Sequence, residues 1–348
     1  MIEFEHVSKE YADGTLAVGD LSMVIPTGEI TAFVGPSGCG KTTSLRMINR
    51  MVEPTGGTIS IDGVDNARRD PAELRRSIGY VIQAAGLFPH RTVLDNVATV
   101  PVLQGVSRRE ARSRAAETLE RVGLDPALAK RYPAQLSGGQ QQRVGVARAL
   151  VSDPATLIMD EPFSAVDPVV REALQSELLR LQDELRKTIV IVTHDIDEAI
   201  RLGDQVAVFA EGGRLAQFGP PAEILADPAD DFVAGFVGRD RGYRSLSFAT
   251  SSLVPVQPVS TEIDGLRLEL DDAGRPLGWR SGEGALLPVE GTFDASHTLR
   301  AVTNLVILSP AGAAVRVDAD GRADGLVLQA DLAVVLAERQ RARLEGPA

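Results

Sequence analysis

The 348-residue chain contains a single cysteine, a single tryptophan and no apolar run longer than a strand. One cysteine, Cys39, excludes an internal disulfide and suits a reducing cytoplasm. The longest apolar stretches, such as Thr188–Val192 and Gln205–Phe209, fall far short of the roughly 20 residues needed to cross a bilayer. Any membrane role therefore needs spanning helices from another chain. Met1–Glu5 lacks the basic-then-apolar layout of a secretory leader, so none is expected. Lysine is confined to Lys9, Lys41, Lys130 and Lys187, and arginine supplies the rest of the 36 basic residues against 48 acidic ones. A formal charge of −12 and a pI of about 4.9 leave no dominant basic face, which argues against nucleic acid as the main partner. What remains is ordinary soluble material, 44% hydrophobic and 24% charged, at a length that suits two domains rather than one.

Met1–Ile25 alternates polar and apolar residues, as antiparallel strands do. Ile30–Val34 is a short apolar strand leading into Gly35-Pro36-Ser37-Gly38-Cys39-Gly40-Lys41-Thr42, after which a helix is predicted from Lys41 to Ile48. Thr58–Ile61 and Ile78–Ile82 read as further strands. From Ser107 the pattern turns helical. Ser107-Arg108-Arg109-Glu110 has capping-box spacing, and Ala111–Val122 is rich in helix formers, so residues 92–138 read as a mostly helical insert. Beyond it, helices at Gln140–Leu150 and Val169–Leu185 alternate with strands at Thr156–Asp160 and Thr188–Thr193, which implies a parallel sheet. Composition shifts near Arg239–Arg244, placing a domain boundary at Gly238–Ser245. Farther on, Asp271–Trp279 and Val317–Leu326 both read as strand, acidic Gly-Arg turn and strand, a weak internal repeat.

In a chain so poor in lysine, G-x-x-x-x-G-K-[ST] arises by chance in roughly a few of a thousand such sequences. Its glycines let successive N–H groups face phosphate oxygens, and the following helix adds its N-terminal dipole. Lys41 can reach β- and γ-phosphates, and Thr42 can place its hydroxyl on Mg²⁺. Cys39, with no partner base in sight, reads as a small loop filler. Asp160 ends an apolar strand, so its carboxylate should emerge at the sheet edge, where it can hold Mg²⁺ directly or through water. Glu161 comes next and can polarise an attacking water. Gln83, just past Ile78–Ile82, can contact Mg²⁺ or that water, although taken alone a strand-end glutamine is simply solvated. A lone histidine is more often structural than catalytic, yet His194, at a strand end, suits charge stabilisation beside a γ-phosphate. Tyr11 can stack on adenine. Between the two nucleotide motifs lies Leu136-Ser137-Gly138-Gly139-Gln140.

Gly35–Thr42, Gln83, Leu136–Gln140, Leu157–Glu161, Ser164–Asp167 and His194 follow the order and spacing of the Walker A, Q-loop, signature, Walker B, D-loop and H-loop motifs. On these residues, positions 1–238 resemble the ABC ATPases. Val166 stands in the D-loop where leucine is commoner. The resemblance implies an α/β phosphate-loop core with a parallel sheet, an antiparallel β subdomain and a helical subdomain at 92–138. It implies that Tyr11, Gly35, Pro36, Ser37, Gly38, Cys39, Gly40, Lys41, Thr42 and Thr43 hold ATP. Thr42, Gln83 and Asp160 would serve Mg²⁺, and Glu161, His194 and Gln83 would carry hydrolysis. Two copies are then expected to pair head to tail, with Ser137, Gly138, Gly139 and Gln140 of one, and its Asp167, completing the ATP site of the other.

Ser44–Arg50, Ile78–Gln83 and Leu87–Pro101 resemble, more narrowly, the ATP-binding subunits of importers for glycine betaine, carnitine, choline or proline. In that group the C-terminal region is usually a pair of CBS repeats, and residues 245–348 resemble a degenerate α+β pair. His297–Leu336 has the helix, strand, Gly321 turn, strand and helix of one repeat and keeps Asp331. Ser247–Leu287 lacks a full leading helix, and Leu328 stands where a ribose-contacting threonine is usual. The implied partners are a second copy, membrane permeases at the cytoplasmic face of the membrane and, indirectly, an extracytoplasmic binding protein. The helical insert and the stretch after Gln83 are the candidates for permease contact. Alternatives are an importer of another solute (sugar, amino acid or anion) or a soluble non-transport ABC ATPase. The chain has neither the long coiled coil nor the paired ATPase halves of the latter. Helical segments at Thr298–Leu308 and Asp331–Arg343 argue against the β-barrel module common in sugar and anion importers.

Overall fold

Alternation at the N-terminus produces β1 (Ile2–Glu10) and β2 (Leu16–Ile25), paired antiparallel with Ile2 opposite Ile25 and Phe4 opposite Met23. β3 (Ile30–Val34), the phosphate loop and α1 (Lys41–Ile48) follow, then β4 (Gly56–Ile61), β5 (Val64–Asp65), α2 (Pro71–Ser77) and β6 (Ile78–Val81). The insert comprises α3 (Val93–Val97), α4 (Thr99–Leu103) and α5 (Arg108–Arg121). After it come α6 (Gly138–Leu150), β7 (Thr156–Asp160), α7 (Pro168–Leu185), β8 (Thr188–Val192) and α8 (Ile196–Leu202). β9 (Gln205–Ala210), β10 (Arg214–Gly219), α9 (Pro221–Ala226) and α10 (Asp231–Val237) complete this unit, which ends at Gly238. The computed structural model describes residues 1–83, 86–164, 166–282 and 284–345. Among them, no helix is long and apolar enough to cross a membrane.

Two sheets form. One, ordered β2-β1-β4-β5, is antiparallel; the other, ordered β10-β9-β3-β8-β7-β6, is parallel except for β10 at its edge. Successive residues of the central strands enter different cores, which explains their unbroken apolar runs. Ile30, Ala32, Met159 and Ile191 face the core shared with the helical insert and α6 to α8. Phe33, Ile158, Val190 and Val192 face α1 and the antiparallel sheet.

Capping at two helix starts differs from expectation. α6 begins at Gly138, two residues early, because Ser137 and Gln140 form a reciprocal capping box. The box predicted at Ser107 is only half made. Ser107 Oγ accepts the Glu110 N–H at 3.3 Å, whereas the Glu110 carboxylate pairs with Arg114 one turn on. A charged i,i+4 partner outcompetes a neutral backbone N–H there.

The second unit, from Arg239, holds α11 (Arg241–Arg244), a hairpin of β11 (Arg267–Leu270) and β12 (Pro276–Arg280), and β13 (Thr292–Phe293). α12 (Leu299–Leu308), β14 (Ala313–Val317), β15 (Ala323–Leu328) and α13 (Gln329–Glu345) follow, the three strands forming a sheet ordered β13-β14-β15. The two acidic turns are built alike. Asp271 Oδ1 accepts the N–H groups of Ala273 and Arg275, and Asp318 Oδ1 those of Asp320 and Arg322, all at 2.7–2.9 Å. The turns also touch, Ala323 N–H donating to Gly274 O at 2.9 Å. The first hairpin has no α-helix beside it in sequence from residue 249 to 298, among the described residues.

Trp279 and Phe293 are buried in this second unit. Because Trp279 is the only tryptophan, its fluorescence reports unfolding of this unit alone. Phe293→Ala is expected to shift the tryptophan-detected denaturation midpoint down, by about 3–5 kcal/mol of stability. An unmoved midpoint would contradict the packing described.

Candidate functional site

Sheet order makes β3, β8 and β7 neighbours, with β6 beyond β7. All four are parallel, so the segments after Val34, Val192, Asp160 and Val81 leave from one edge. The phosphate loop after Val34 is tightly enclosed. Gly40 has φ +93°, and a Cβ there would lie 2.2 Å from Ala17 O, so no side chain fits. Lys41 is buried, its ammonium donating to Gly35 O and Pro36 O at 2.8 Å each. Cys39 is buried beneath it, with Sγ 3.6 Å from that ammonium, and fills the loop from inside.

Thr42, on the first turn of α1, donates its hydroxyl to Asp160 Oδ1 at 2.8 Å. Asp160 is buried, and its Oδ2 accepts from Arg46 Nη2 at 3.2 Å. Arg46 also donates to the Tyr80 hydroxyl at 3.4 Å, which raises the arginine above its already high range. Burial pushes the Tyr80 phenol up, against the pull of Arg46. Glu161 follows with φ +44°, a left-handed backbone unusual for a side-chain-bearing residue, and its N–H donates to Val192 O at 2.9 Å. That reversal returns its carboxylate to the sheet edge. Its Oε2 accepts from Gln83 Nε2 at 3.3 Å and lies 3.3 Å from His194 Nδ1. Tyr11 is exposed in the turn between β1 and β2, its hydroxyl 3.4 Å from Thr43 Oγ1 and its ring beneath Lys9 Nζ at 5.2 Å.

The structure thus gathers Tyr11, the loop Gly35–Thr43, Gln83, Asp160, Glu161 and His194. Ser137–Gln140 and Asp167 form a separate group. Ser137 Oγ accepts the Gln140 N–H at 3.3 Å, and Gln140 Oε1 accepts the Ser137 N–H at 3.0 Å. Gly139 faces α7 so closely that a Cβ would lie 2.6 Å from Val170 Cγ1. Asp167 caps α7 through Val169 N–H at 3.0 Å. Among the described residues, no hydrogen bond or ion pair joins 137–140 to the phosphate loop or to Asp160 and Glu161. Ala165 of the Ser164–Asp167 motif, and Ala84 and Ala85 after Gln83, lie outside the described residues.

Sequence reasoning missed the role of Arg46, although its signal was present: it stands four residues after Thr42, on the same face of α1. It also missed Glu198, a buried carboxylate on α8 bonded to Gln175 and Thr193. Chemically, the first group offers loop N–H groups and one lysine for a polyphosphate. It adds two hard oxygens for a divalent cation and a carboxylate for a water.

Residues 18–164 match the family model described as "ABC transporter". The choline transport ATP-binding protein OpuBA of Bacillus subtilis is 48% identical over 267 residues, spanning 76% of this chain and 70% of that one. The osmoprotectant import ATP-binding protein OsmV of Salmonella typhimurium is 40% identical over 362 residues, spanning 94% of each chain. Among solved structures, the dimeric post-hydrolysis state of the ATP-binding cassette MJ0796 bound to ADP and Pi overlays with TM-score 0.58 and 35% identity. It covers 64% of this chain and 99% of that one.

With its only loop ammonium removed, Lys41→Ala is expected to lose binding of a fluorescent ATP analogue while keeping the wild-type circular dichroism spectrum. Unchanged analogue affinity would remove the loop from the site.

Proposed function

The chain belongs to the ATP-binding proteins of ABC transporters, and on that premise we propose that it hydrolyses ATP to drive import of quaternary amine osmoprotectants such as glycine betaine, choline or carnitine. The observation that carries the choice of cargo is the 40% identity to an osmoprotectant import protein across 94% of both chains, second unit included. The narrower resemblance at Ser44–Arg50 and Leu87–Pro101 points the same way.

Lys41, hydrogen-bonded to two loop carbonyls, is available to a β- or γ-phosphate as those carbonyl contacts are exchanged. Thr42 and Asp160 fit Mg²⁺, being a hydroxyl and a carboxylate 2.8 Å apart, both hard oxygens. Bound there, the ion would neutralise charge on the phosphate oxygens. Glu161 acts on the attacking water. Gln83 and His194 both engage Oε2, which leaves Oε1 to accept a water proton.

Ser137–Gln140 stand apart from this group, which supports a head-to-tail dimer in which each site is completed by the other copy. The N-terminus of α6 would then offer N–H groups to the γ-phosphate. With no spanning helix among the described residues, attachment to the cytoplasmic face of the membrane would rest on a permease. The helical insert is the proposed contact, and a binding protein would deliver cargo from the other side. We assign the second unit as a worn pair of CBS-like repeats. Its matched Asp271 and Asp318 turns support the pairing, while Asp331, whose Oδ2 accepts from Gln257 at 2.9 Å, is engaged within the unit. A structural role suits it better than a ribose contact.

Two outcomes follow. Glu161→Gln keeps ATP binding but lacks a proton acceptor, so it should accumulate an ATP-bound dimer in size-exclusion chromatography; a variant that turns over normally would remove Glu161 from this role. Deleting the gene should abolish uptake of radiolabelled glycine betaine, choline or carnitine at high osmolarity, and unchanged uptake of all three would refute the cargo.

A further inference from the structure

Glu198 takes no part in the chemistry above, yet it and Asp160 are the only buried carboxylates among the described residues. A carboxylate in such a place is costly unless its oxygens are hydrogen-bonded. Both are. Oε1 accepts from Gln175 Nε2 of α7 at 2.9 Å, and Oε2 accepts the hydroxyl of Thr193, just past β8. Burial holds the carboxyl above its ordinary range, and these two donors pull it back.

Thr193 is fixed twice more. Its N–H donates to Phe33 O of β3 at 3.0 Å, and its Oγ1 accepts the Asp195 N–H at 3.1 Å. Asp195 caps α8, its Oδ1 taking the Asp197 N–H at 2.8 Å. His194 is therefore the middle of three residues whose outer two are pinned, while its own ring is 57% exposed. The Gln175 arm runs along α7, whose first turn is capped by Asp167. Arg201 of α8 reinforces this seam, donating to Glu172 at 3.2 Å and to Ser176 at 3.0 Å on α7.

We propose that Glu198 is a positioning residue. Its two hydrogen bonds hold the Thr193–Asp195 turn, and so His194, at a fixed place relative to Glu161, and they tie that place to α7 and Asp167. The proposal rests on the reading of His194 given above. It makes the presentation of His194 depend on a helix whose capped end belongs to the second, dimer-directed group of motifs.

The hydrogen-bond inventory separates this role from simple packing. A glutamine at 198 can keep both bonds, its Oε1 taking the Thr193 hydroxyl and its Nε2 donating to the Gln175 amide once that amide turns over. Alanine keeps neither. In the full-length chain, Glu198→Ala is expected to slow single-turnover ATP hydrolysis by about tenfold to a hundredfold, the scale of a misplaced catalytic group. Affinity for a fluorescent ATP analogue should stay within about twofold, since no nucleotide-loop residue is touched. Glu198→Gln and Thr193→Ser should turn over at close to the wild-type rate, and Thr193→Val should be as slow as Glu198→Ala.

Wild-type rates in both Glu198→Ala and Thr193→Val would overturn the proposal, as would a loss of affinity in step with rate or a Glu198→Gln as slow as the alanine variant. If Glu198→Ala does not fold, the Thr193→Val and Thr193→Ser pair decides. His194→Ala is measured alongside. A fast His194→Ala defeats the underlying reading of His194, whereas a slow His194→Ala with a fast Glu198→Ala defeats only the role of Glu198.

Discussion

The hydrogen bond from Thr42 to Asp160, 2.8 Å long, joins the two halves of the candidate nucleotide site across 118 positions of sequence. It exists because β3 and β7 both flank β8 in one parallel sheet, so their carboxyl ends open on the same side. Asp160 is buried, and a buried acceptor left without its donor costs about 1–3 kcal/mol. Arg46 supplies the compensating charge from the next turn of α1. Glu161 then turns back through a left-handed backbone held by Val192 O, which brings its carboxylate to Gln83 and His194. The chemistry of each of these residues follows from where the sheet places the one before it.

A second constraint is that Ser137–Gln140 stand apart from the candidate nucleotide site. Ser137–Gln140 spend their hydrogen bonds on each other, and Gly139 presses on α7 at a distance that admits no side chain. α6 and α7 therefore present their N-termini together. The polar seam between α7 and α8, with Glu198 at its buried end, runs from that pair of helix ends to His194. In the proposed head-to-tail pair, those contacts would give a physical route from Asp167 along α7 to Gln175, Glu198 and Thr193.

Much of this was legible in the sequence because the phosphate loop and the strand-end acids obey short-range rules. Apolar runs bounded by polar residues marked Ile30–Val34, Thr156–Asp160 and Thr188–Val192, and Gly35–Thr42 marked the loop. Where competition between neighbours decided the outcome, local reading failed. Glu110 was drawn to Arg114 rather than to the Ser107 backbone, and α6 began at Gly138 because Gln140 reached back to Ser137. Arg46 and Glu198 were missed for another reason. Their partners, Asp160 and Tyr80 for one and Gln175 and Thr193 for the other, come from strands and helices whose adjacency only the sheet order reveals. In the second unit the Asp271 and Asp318 turns were visible as a repeat, and the lack of a full leading helix in Ser247–Leu287 was legible too, since among the described residues no α-helix stands between residues 249 and 298.

The central claim is that each ATP site is built from the phosphate loop of one copy and the Ser137–Gln140 segment of another. Its most direct test mixes two inactive variants, Lys41→Ala and Ser137→Arg, and measures ATP hydrolysis. A mixed dimer has one site carrying both substitutions and one carrying neither, so activity should return on mixing. Failure of the mixture to hydrolyse ATP, with mixed dimers present, would contradict the account.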